Sequence, residues 1–435
     1  MTYNPEIFRG YDIRGVYGRD FDDDFAFRLG AAFVRYLNRR KFLVANDERD
    51  FSKGLAESLM NGIISAGADV EYVGLSSLPF FHFALNKTGA NGGVMITASH
   101  NPPEYGGFKF FRGDGSQIDS ENGLDSIKEL LATGAEISKY GGRISREQTA
   151  GIKEDYIKYV KDKSCVKPGD LRGMRIKVGE GGTGADDARN LLESFGVQCD
   201  EAGFDVAFSF DADADRLIVQ DGAGEQIRPD LIFGLIVKDK RGFFSRPKVV
   251  HTLDFSKGVL EKFKEWGIKV YESKVGSPHI RELMVKRRAD YGGESSGHIL
   301  FKDNNYCELP LAAMLMILKI MAHSASSGQA KSINELVEPF MTWFNSGEIN
   351  IVFSNEHSAF RGISERLKEK YKDGGISELD GITIEYNNPA DSGASWWFNL
   401  RPSNTEPVLR LVVEAKTSEL LENKVKEILD EINKK

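Results

Sequence analysis

Three similar α/β domains with mixed or parallel sheets, followed by a smaller C-terminal α+β domain, are what this sequence predicts. Three observations carry that expectation. First, one pattern recurs: an amphipathic helix closes on a glycine, a short strand follows, and a later strand runs into a polar motif. Second, each polar motif falls at the carboxyl end of its strand, where ligands collect in parallel α/β sheets. Third, the pattern stops near Asn345, and a strand, a helix and further strands, one of them tryptophan-rich, take over.

The first copy is LAESLMNGIISAGADVEYVG, residues 55–74, with GGVMITASHNP after it. The second is ARNLLESFGVQC, residues 188–199, with FDVAFSFDADADR. The third is VLEKFKEWGIKVYES, residues 259–273, with ADYGGESSGH. Gly67, Gly196 and Gly267 stand where a helix C-cap wants a residue at positive φ. Helix-then-strand alternation of this kind reads as parallel α/β units. The apolar run from Leu309 to Ala322 is too short to span a bilayer and contains Lys319, so it is expected as a buried helix. Residues 324–332, SASSGQAKS, read as a surface loop. Beyond Asn345 come a strand, a helix, the strands GITIEYN, SWWFNL and VLRLVVEA, and a charged helix from Ser418 to Asn433. The expected divisions are 1–146, 147–243, 244–340 and 341–435.

The bulk numbers exclude several classes. The chain has 435 residues, 41% hydrophobic and 28% charged, ordinary for a soluble globular protein. A formal net charge of −8 argues against nonspecific nucleic-acid binding, which needs a basic surface. Three scattered cysteines without a CxxC spacing fit a reducing compartment and leave no zinc–cysteine cluster. The opening MTYNPEIFRGYD has no basic-then-apolar signal pattern. A cytoplasmic protein with no membrane partner is expected, and its oligomeric state is not legible.

Four motifs carry chemistry. Asp211, Asp213 and Asp215 place three carboxylates at alternate positions with only alanines between them, a set of hard oxygen ligands for one cation. An EF-hand loop is excluded, because the sixth position is Arg216 rather than Gly and the twelfth is Gly222 rather than Glu. Magnesium fits better, since three protein oxygens leave room for water and phosphate. The second motif ends the strand of Val94–Ile96 in TASHNPP, with Ser99 flanked by His100 and Asn101. No GxSxG elbow surrounds Ser99, so an esterase triad is poorly supported. Beside a metal loop the useful role is a phosphorylated hydroxyl, standing in the open, whose oxygen also binds the metal. The third motif, GGESSGH, offers Glu294 and Ser296 to sugar hydroxyls and His298 for proton exchange. The fourth, Arg401-Pro402-Ser403-Asn404-Thr405, is a cradle for a phosphate dianion. Each string alone also suits an ordinary surface turn.

Together with FRGYDIRG, residues 8–15, these motifs in this order resemble the α-D-phosphohexomutase superfamily, its phosphomannomutase/phosphoglucomutase branch above all. The resemblance covers nearly the whole chain. It implies four domains around a central cleft that holds the active site. It also implies interconversion of hexose 1-phosphate and hexose 6-phosphate, of mannose or glucose, through a phosphoserine and a hexose 1,6-bisphosphate. By the same resemblance, Ser99 carries the phosphoryl group, and Asp211, Asp213 and Asp215 hold Mg²⁺ with it. Glu294 and Ser296 bind ring hydroxyls, and Arg401, Ser403, Asn404 and Thr405 hold the idle phosphate. Tyr11, Arg14, His100, Lys109, Arg216, Lys274 and His298 match positions lining the site, Lys109 and His298 being the candidates for proton transfer. Phosphoglucosamine and phosphopentose mutases are neighbouring alternatives. A Mg²⁺-dependent sugar phosphatase and a non-catalytic sugar-phosphate binder are the alternatives of other classes.

Overall fold

The computed structural model describes residues 3–99, 101–133, 141–146, 149–199, 203–243, 246–324, 330–353, 356–387, 392–403 and 407–434. The loop expected at 324–332 lies mostly outside them. The chain divides into two compact units: residues 1–227 with 298–332, and residues 228–297 with 333–435.

The first unit is built on two sheets. In the larger, the strands Lys41–Asn46, Asp69–Leu75 and Gly92–Ile96 run parallel, with Lys41–Asn46 in the middle. The strand Tyr105–Arg112 returns antiparallel beside Gly92–Ile96, and Ile13–Val16 pairs antiparallel on its far side. Helices Asp23–Leu37 and Ser52–Ser65 cover this sheet, burying Phe25, Leu29, Phe33, Leu55, Leu59 and Ile63 against Phe42, Val44, Val94 and Phe108. In the smaller sheet, Ile176–Val178 is parallel to Val206–Phe210, and Leu217–Asp221 follows antiparallel. A hairpin of Ile299–Phe301 and Cys307–Glu308 leads into helix Pro310–His323, whose residues from Pro310 to Leu318 are all buried, as the apolar run predicted.

The second unit has its own parallel set, Lys248–Thr252 between Lys269–Ser273 and Tyr291–Gly293. Its C-terminal part is an antiparallel sheet in which Ile382–Tyr386, Trp396–Pro402 and Val408–Ala415 are successive neighbours. Helix Ser418–Ile432 packs Ile428 and Ile432 into the core of Phe398, Leu400, Leu411 and Val413. This is the α+β segment expected beyond Asn345. The buried Glu414 takes hydrogen bonds from Trp397 Nε1, Asn345 Nδ2, Arg228 Nη2 and the Lys257 amide, so its charge is matched inside the unit.

The three capping glycines behave alike. Gly67, Gly196 and Gly267 sit at φ of 86°, 75° and 69°. In each case the following amide bonds back to a carbonyl five residues earlier: Ala68 to Ile63, Val197 to Leu192, Ile268 to Phe263. That is the Schellman closure, and it turns the chain directly into the next strand. Of the three cysteines, Cys165 is exposed, Cys199 half-buried and Cys307 buried. Among the described residues no helix is long and apolar enough to cross a membrane.

Gly30 and Gly62 let the helices Asp23–Leu37 and Ser52–Ser65 touch backbone to backbone. A Cβ on Gly62 would collide with the Phe27 carbonyl, and one on Gly30 with the Leu59 carbonyl. Gly62→Ala should therefore destabilise the first unit by about 1–3 kcal/mol or more, the range for overpacking, despite alanine's better helix propensity. Thermal unfolding checks it: an unchanged midpoint would mean that the helices can part at no cost.

Candidate active site

Every polar motif anticipated at a strand end is found there. Gly92–Ile96 runs out into Thr97–Ser99, Val206–Phe210 into Asp211, and Tyr291–Gly293 into Glu294. In the first unit, two of these ends meet. Ser99 Oγ donates a hydrogen bond to Asp213 Oδ1 at 3.0 Å, and Lys109 Nζ lies 2.6 Å from Asp213 Oδ2 and 3.4 Å from Asp215 Oδ2. A backbone bond from the Leu78 amide to the Asp213 carbonyl ties the aspartate loop to the larger sheet.

Local sequence explains why these groups arrive together. Lys109 stands opposite Met95 in the antiparallel register, so the strand that leads into Ser99 also fixes Lys109 beside it. Arg14 stands opposite Gly107. A Cβ at Gly107 would lie 2.6 Å from the Thr97 carbonyl and 3.4 Å from the Arg14 stem, so the glycine-rich run preceding Lys109 gives both of them room. Ser99 has φ of 50° and Ala214 of 54°, the left-handed region that non-glycine residues seldom adopt. Ala214 packs against the helix Gly182–Glu193, where a Cβ on Gly184 would come within 2.5 Å of its methyl.

One expectation is corrected. Ser99 was expected in the open, yet it is 2% exposed, because its hydroxyl is turned onto the buried Asp213 carboxylate beside Lys109. Burying a hydroxyl requires a partner, and Asp213 supplies it.

The electrostatics would suit a cation. The three aspartates can each offer an oxygen with all three within 4.8 Å of one another. Asp211 Oδ2 and Asp215 Oδ1 are buried with no hydrogen-bond partner. Burial, then Asp215 and Asp213, push the Asp211 carboxyl well above its ordinary value. Burial pushes Asp215 the same way, but Lys109, His298 and Arg216 outweigh it and hold Asp215 below the usual range. Burial would lower the Lys109 ammonium, yet Asp213 and Asp215 raise it above its ordinary value, so Lys109 is charged as it stands. A hard divalent cation fits this donor set of carboxylate oxygens with a serine hydroxyl alongside.

Arg216 Nε donates to His298 Nε2 at 3.2 Å, which leaves the proton of a neutral His298 on Nδ1. That nitrogen lies 3.2 Å from Glu308 Oε1 and 3.8 Å from Asp215 Oδ1. Burial opposes ionisation of Glu308, but His298 holds its carboxyl below the ordinary range. Glu308 escaped sequence reasoning; its only signal was an acid just ahead of an otherwise apolar helix. Arg14 reaches the Ala98 carbonyl at 3.2 Å and Asn101 Oδ1 at 2.7 Å while paired with Asp12. Tyr11 precedes this strand, its carbonyl accepting from Gln117 Nε2.

The second unit carries the remaining candidates. Glu294 and Ser296 have buried oxygens, Oε2 and Oγ, without hydrogen-bond partners. Between them, Ser295 donates to Asp254 Oδ2, whose other oxygen accepts from Thr252. Lys274 is exposed, in the turn ahead of helix Ser277–Arg287, where the Val275 amide bonds to Asp380 Oδ2. Arg401 and Ser403 are buried, and Arg401 faces Arg410 across the strand pair. Glu348 lies 3.8 Å from Arg401 and 3.2 Å from Arg410. Arg410 was missed because its partner in register is nine positions away on another strand. His100, Asn404 and Thr405 lie outside the described residues.

Comparison with known proteins agrees with these motifs. Family models of phosphoglucomutase/phosphomannomutase match the chain for the alpha/beta/alpha domain I at residues 5–138, for domain III at 228–343 and for the C-terminal domain at 348–431. A phosphomannomutase of Methanocaldococcus jannaschii is 33% identical over 98% of both chains. One of Escherichia coli K12 is 27% identical, again over 98% of each. Among solved structures, a phosphoglucomutase/phosphomannomutase family protein of Burkholderia thailandensis shares the fold with a TM-score of 0.82 at 23% identity, covering 99% of this chain and 98% of that one. The class is that of the α-D-phosphohexomutases. Within it, the chain belongs to the phosphoglucomutase/phosphomannomutase family.

The raised Asp211 value has a consequence for stability. A carboxyl whose folded value is raised favours its neutral form, so the metal-free protein loses stability as pH rises through that value. A divalent cation should offset this, raising the melting point more at about pH 8 than at about pH 5. Asp211→Asn should abolish that metal-induced shift without lowering the metal-free melting point at the higher pH. A full metal shift in the variant would remove Asp211 from the site.

Proposed function

We propose that this protein is a phosphohexomutase that interconverts hexose 1-phosphate and hexose 6-phosphate, of mannose, glucose or both, with Mg²⁺ and a hexose 1,6-bisphosphate intermediate. The observation that carries the reading is the Ser99 hydroxyl held on Asp213, inside a cluster of three aspartates with Lys109. The four-part division at residues 146, 243 and 340 is proposed with it.

In this reading phospho-Ser99 gives its phosphoryl group to the free hydroxyl of the sugar phosphate, making the bisphosphate. The intermediate then returns its other phosphate to Ser99 from the opposite orientation. Bound at Asp211, Asp213 and Asp215, Mg²⁺ would neutralise charge on the transferring group. Lys109 is charged and adjacent, so it supplies positive charge to the same oxygens and is the nearer candidate to hand a proton to the serine. Arg14 and Arg216 add cations at this pole. His298, oriented by Arg216 and Glu308, is the second candidate for proton transfer. Glu294 and Ser296 bring unpaired acceptors for ring hydroxyls. Arg401 and Ser403, with Asn404 and Thr405 by resemblance, take the phosphate that is not reacting. Positioning of this sort supplies about 7–11 kcal/mol toward the barrier, since the protein forms few bonds of its own.

Glucose and mannose differ in the orientation of one hydroxyl. A single neutral hydrogen bond of about 0.5–1.5 kcal/mol separates them by no more than about tenfold, so use of both sugars is expected. Assays on glucose, mannose and glucosamine 1-phosphates side by side test this, and turnover of only the last would overturn it. A phosphatase would instead release free phosphate faster than it isomerises.

Ser99→Ala should reduce mutase turnover to background, and the wild-type peptide containing Ser99 should carry one phosphoryl group by mass spectrometry. Retained turnover in the variant would remove Ser99 as the phosphoryl carrier. Glu294→Gln should raise KM for the sugar phosphate while leaving phosphorylation of Ser99 by the bisphosphate measurable. Loss of Ser99 phosphorylation would place Glu294 in the transfer step instead.

A further inference from the structure

We propose that Arg49, outside all four motifs, is the positioning residue that holds the Ser99 loop in its reactive shape. The proposal rests on the mutase reading for its catalytic consequence, though the geometry stands by itself. The strand Lys41–Asn46 lies parallel to Gly92–Ile96, with Asn46 opposite Ile96. Both strands end at the same level, so the turn that begins at Asp47 emerges beside the turn that carries Ser99. The Asp47 amide bonds to the Ile96 carbonyl at 2.9 Å and locks the two together.

Arg49 then crosses to the serine loop. Its Nε donates to Asp47 Oδ2 at 3.0 Å. Nη1 donates to the carbonyls of Pro102 at 2.5 Å and Tyr105 at 2.9 Å. Nη2 donates to the carbonyls of Ser99 at 2.7 Å and Asn101 at 2.8 Å. A guanidinium has five N–H bonds, and all five are used. Four of them go to backbone carbonyls of a single loop. The side chain is 7% exposed and that of Asp47 not at all. Asp47 is itself fixed by Ser52 Oγ and by the Arg49 amide.

The loop needs such a tie. Pro102 and Pro103 carry no N–H, so the segment has more acceptors than donors. Ser99 is held at φ of 50°, a conformation that persists only when its surroundings enforce it. Arg14 bonds the same loop at Ala98 and Asn101, but as a member of the reacting pole it must also serve the phosphate. Arg49 has no donor left for any ligand. It therefore acts through Ser99 and not on the sugar, and a lysine, with three donors around one nitrogen, cannot reproduce its fork.

The test uses the full-length protein with Arg49→Lys and Arg49→Met. Thermal unfolding, amide exchange of peptides covering residues 97–105, kcat and KM on mannose and glucose 1-phosphates, and the rate of Ser99 phosphorylation by glucose 1,6-bisphosphate are measured. Exchange in 97–105 should accelerate by about tenfold or more while the strand 42–46 stays protected. Turnover should fall by about 10²-fold, the cost of displacing a reacting atom by about 1 Å, with KM unchanged and Ser99 phosphorylation slowed in parallel. Native exchange in the loop, native kcat, or a raised KM at native kcat would each overturn the proposal. If both variants fail to fold, Asp47→Asn frees one end of the clamp and is read the same way. Should the wild type turn over no hexose phosphate, the mutase reading falls, and the exchange result still decides whether Arg49 holds the loop.

Discussion

A charge removed from water must be matched, and in the first unit that constraint is met by Lys109 set between Asp213 and Asp215. Two sheets contribute to this contact. The lysine belongs to the larger sheet, the aspartates to the loop that ends the smaller one. Deleting one member of a buried ion pair typically costs about 3–5 kcal/mol, so the contact binds the sheets as well as arranging the chemistry. The match is incomplete, however. With Lys109 serving Asp213 and Asp215, Asp211 is left as the carboxylate that resists ionising. Three carboxylates beside one ammonium carry a net negative charge that a cation would offset, and the Ser99 hydroxyl already bonds to one of them.

Backbone limits shape the rest. Between the strand that ends at Ile96 and the strand Tyr105–Arg112 that returns beside it, the chain includes a left-handed serine and two prolines. The prolines carry no N–H, and two arginines from separate segments, Arg14 and Arg49, donate to carbonyls of this loop. In the second unit the same kind of strand end carries Glu294 and Ser296. There the neighbouring Ser295 is spent on Asp254, while the flanking oxygens keep their acceptor capacity.

Much of this was legible along the chain. The capping glycines, the buried helix at Pro310–His323, the C-terminal α+β segment and the three strand-end motifs could be read because each depends on neighbours within about five positions. Gly67, Gly196 and Gly267 close their helices through bonds that local sequence dictates. The carboxylate triplet could be read for the same reason, its spacing alone setting three carboxylates on one loop. Glu308, Arg410, Asp254 and Arg49 were not legible. Each sits in an unremarkable local context, and each becomes meaningful only through a partner on another element.

The sequence by itself determined the element types, the helix ends, the family and the candidate groups for chemistry, since periodicity, capping and motif order are local or linear properties. Tertiary structure alone decided which of those groups meet. Ser99 and Asp213 are 114 positions apart, and Lys109 and Asp213 are 104 apart. Their contact follows from strand register and sheet packing, which sum many weak terms over the whole unit. It also decided that the Ser99 hydroxyl lies against a carboxylate and not in the open, because burial leaves a polar atom no choice but the partner the packing brings to it.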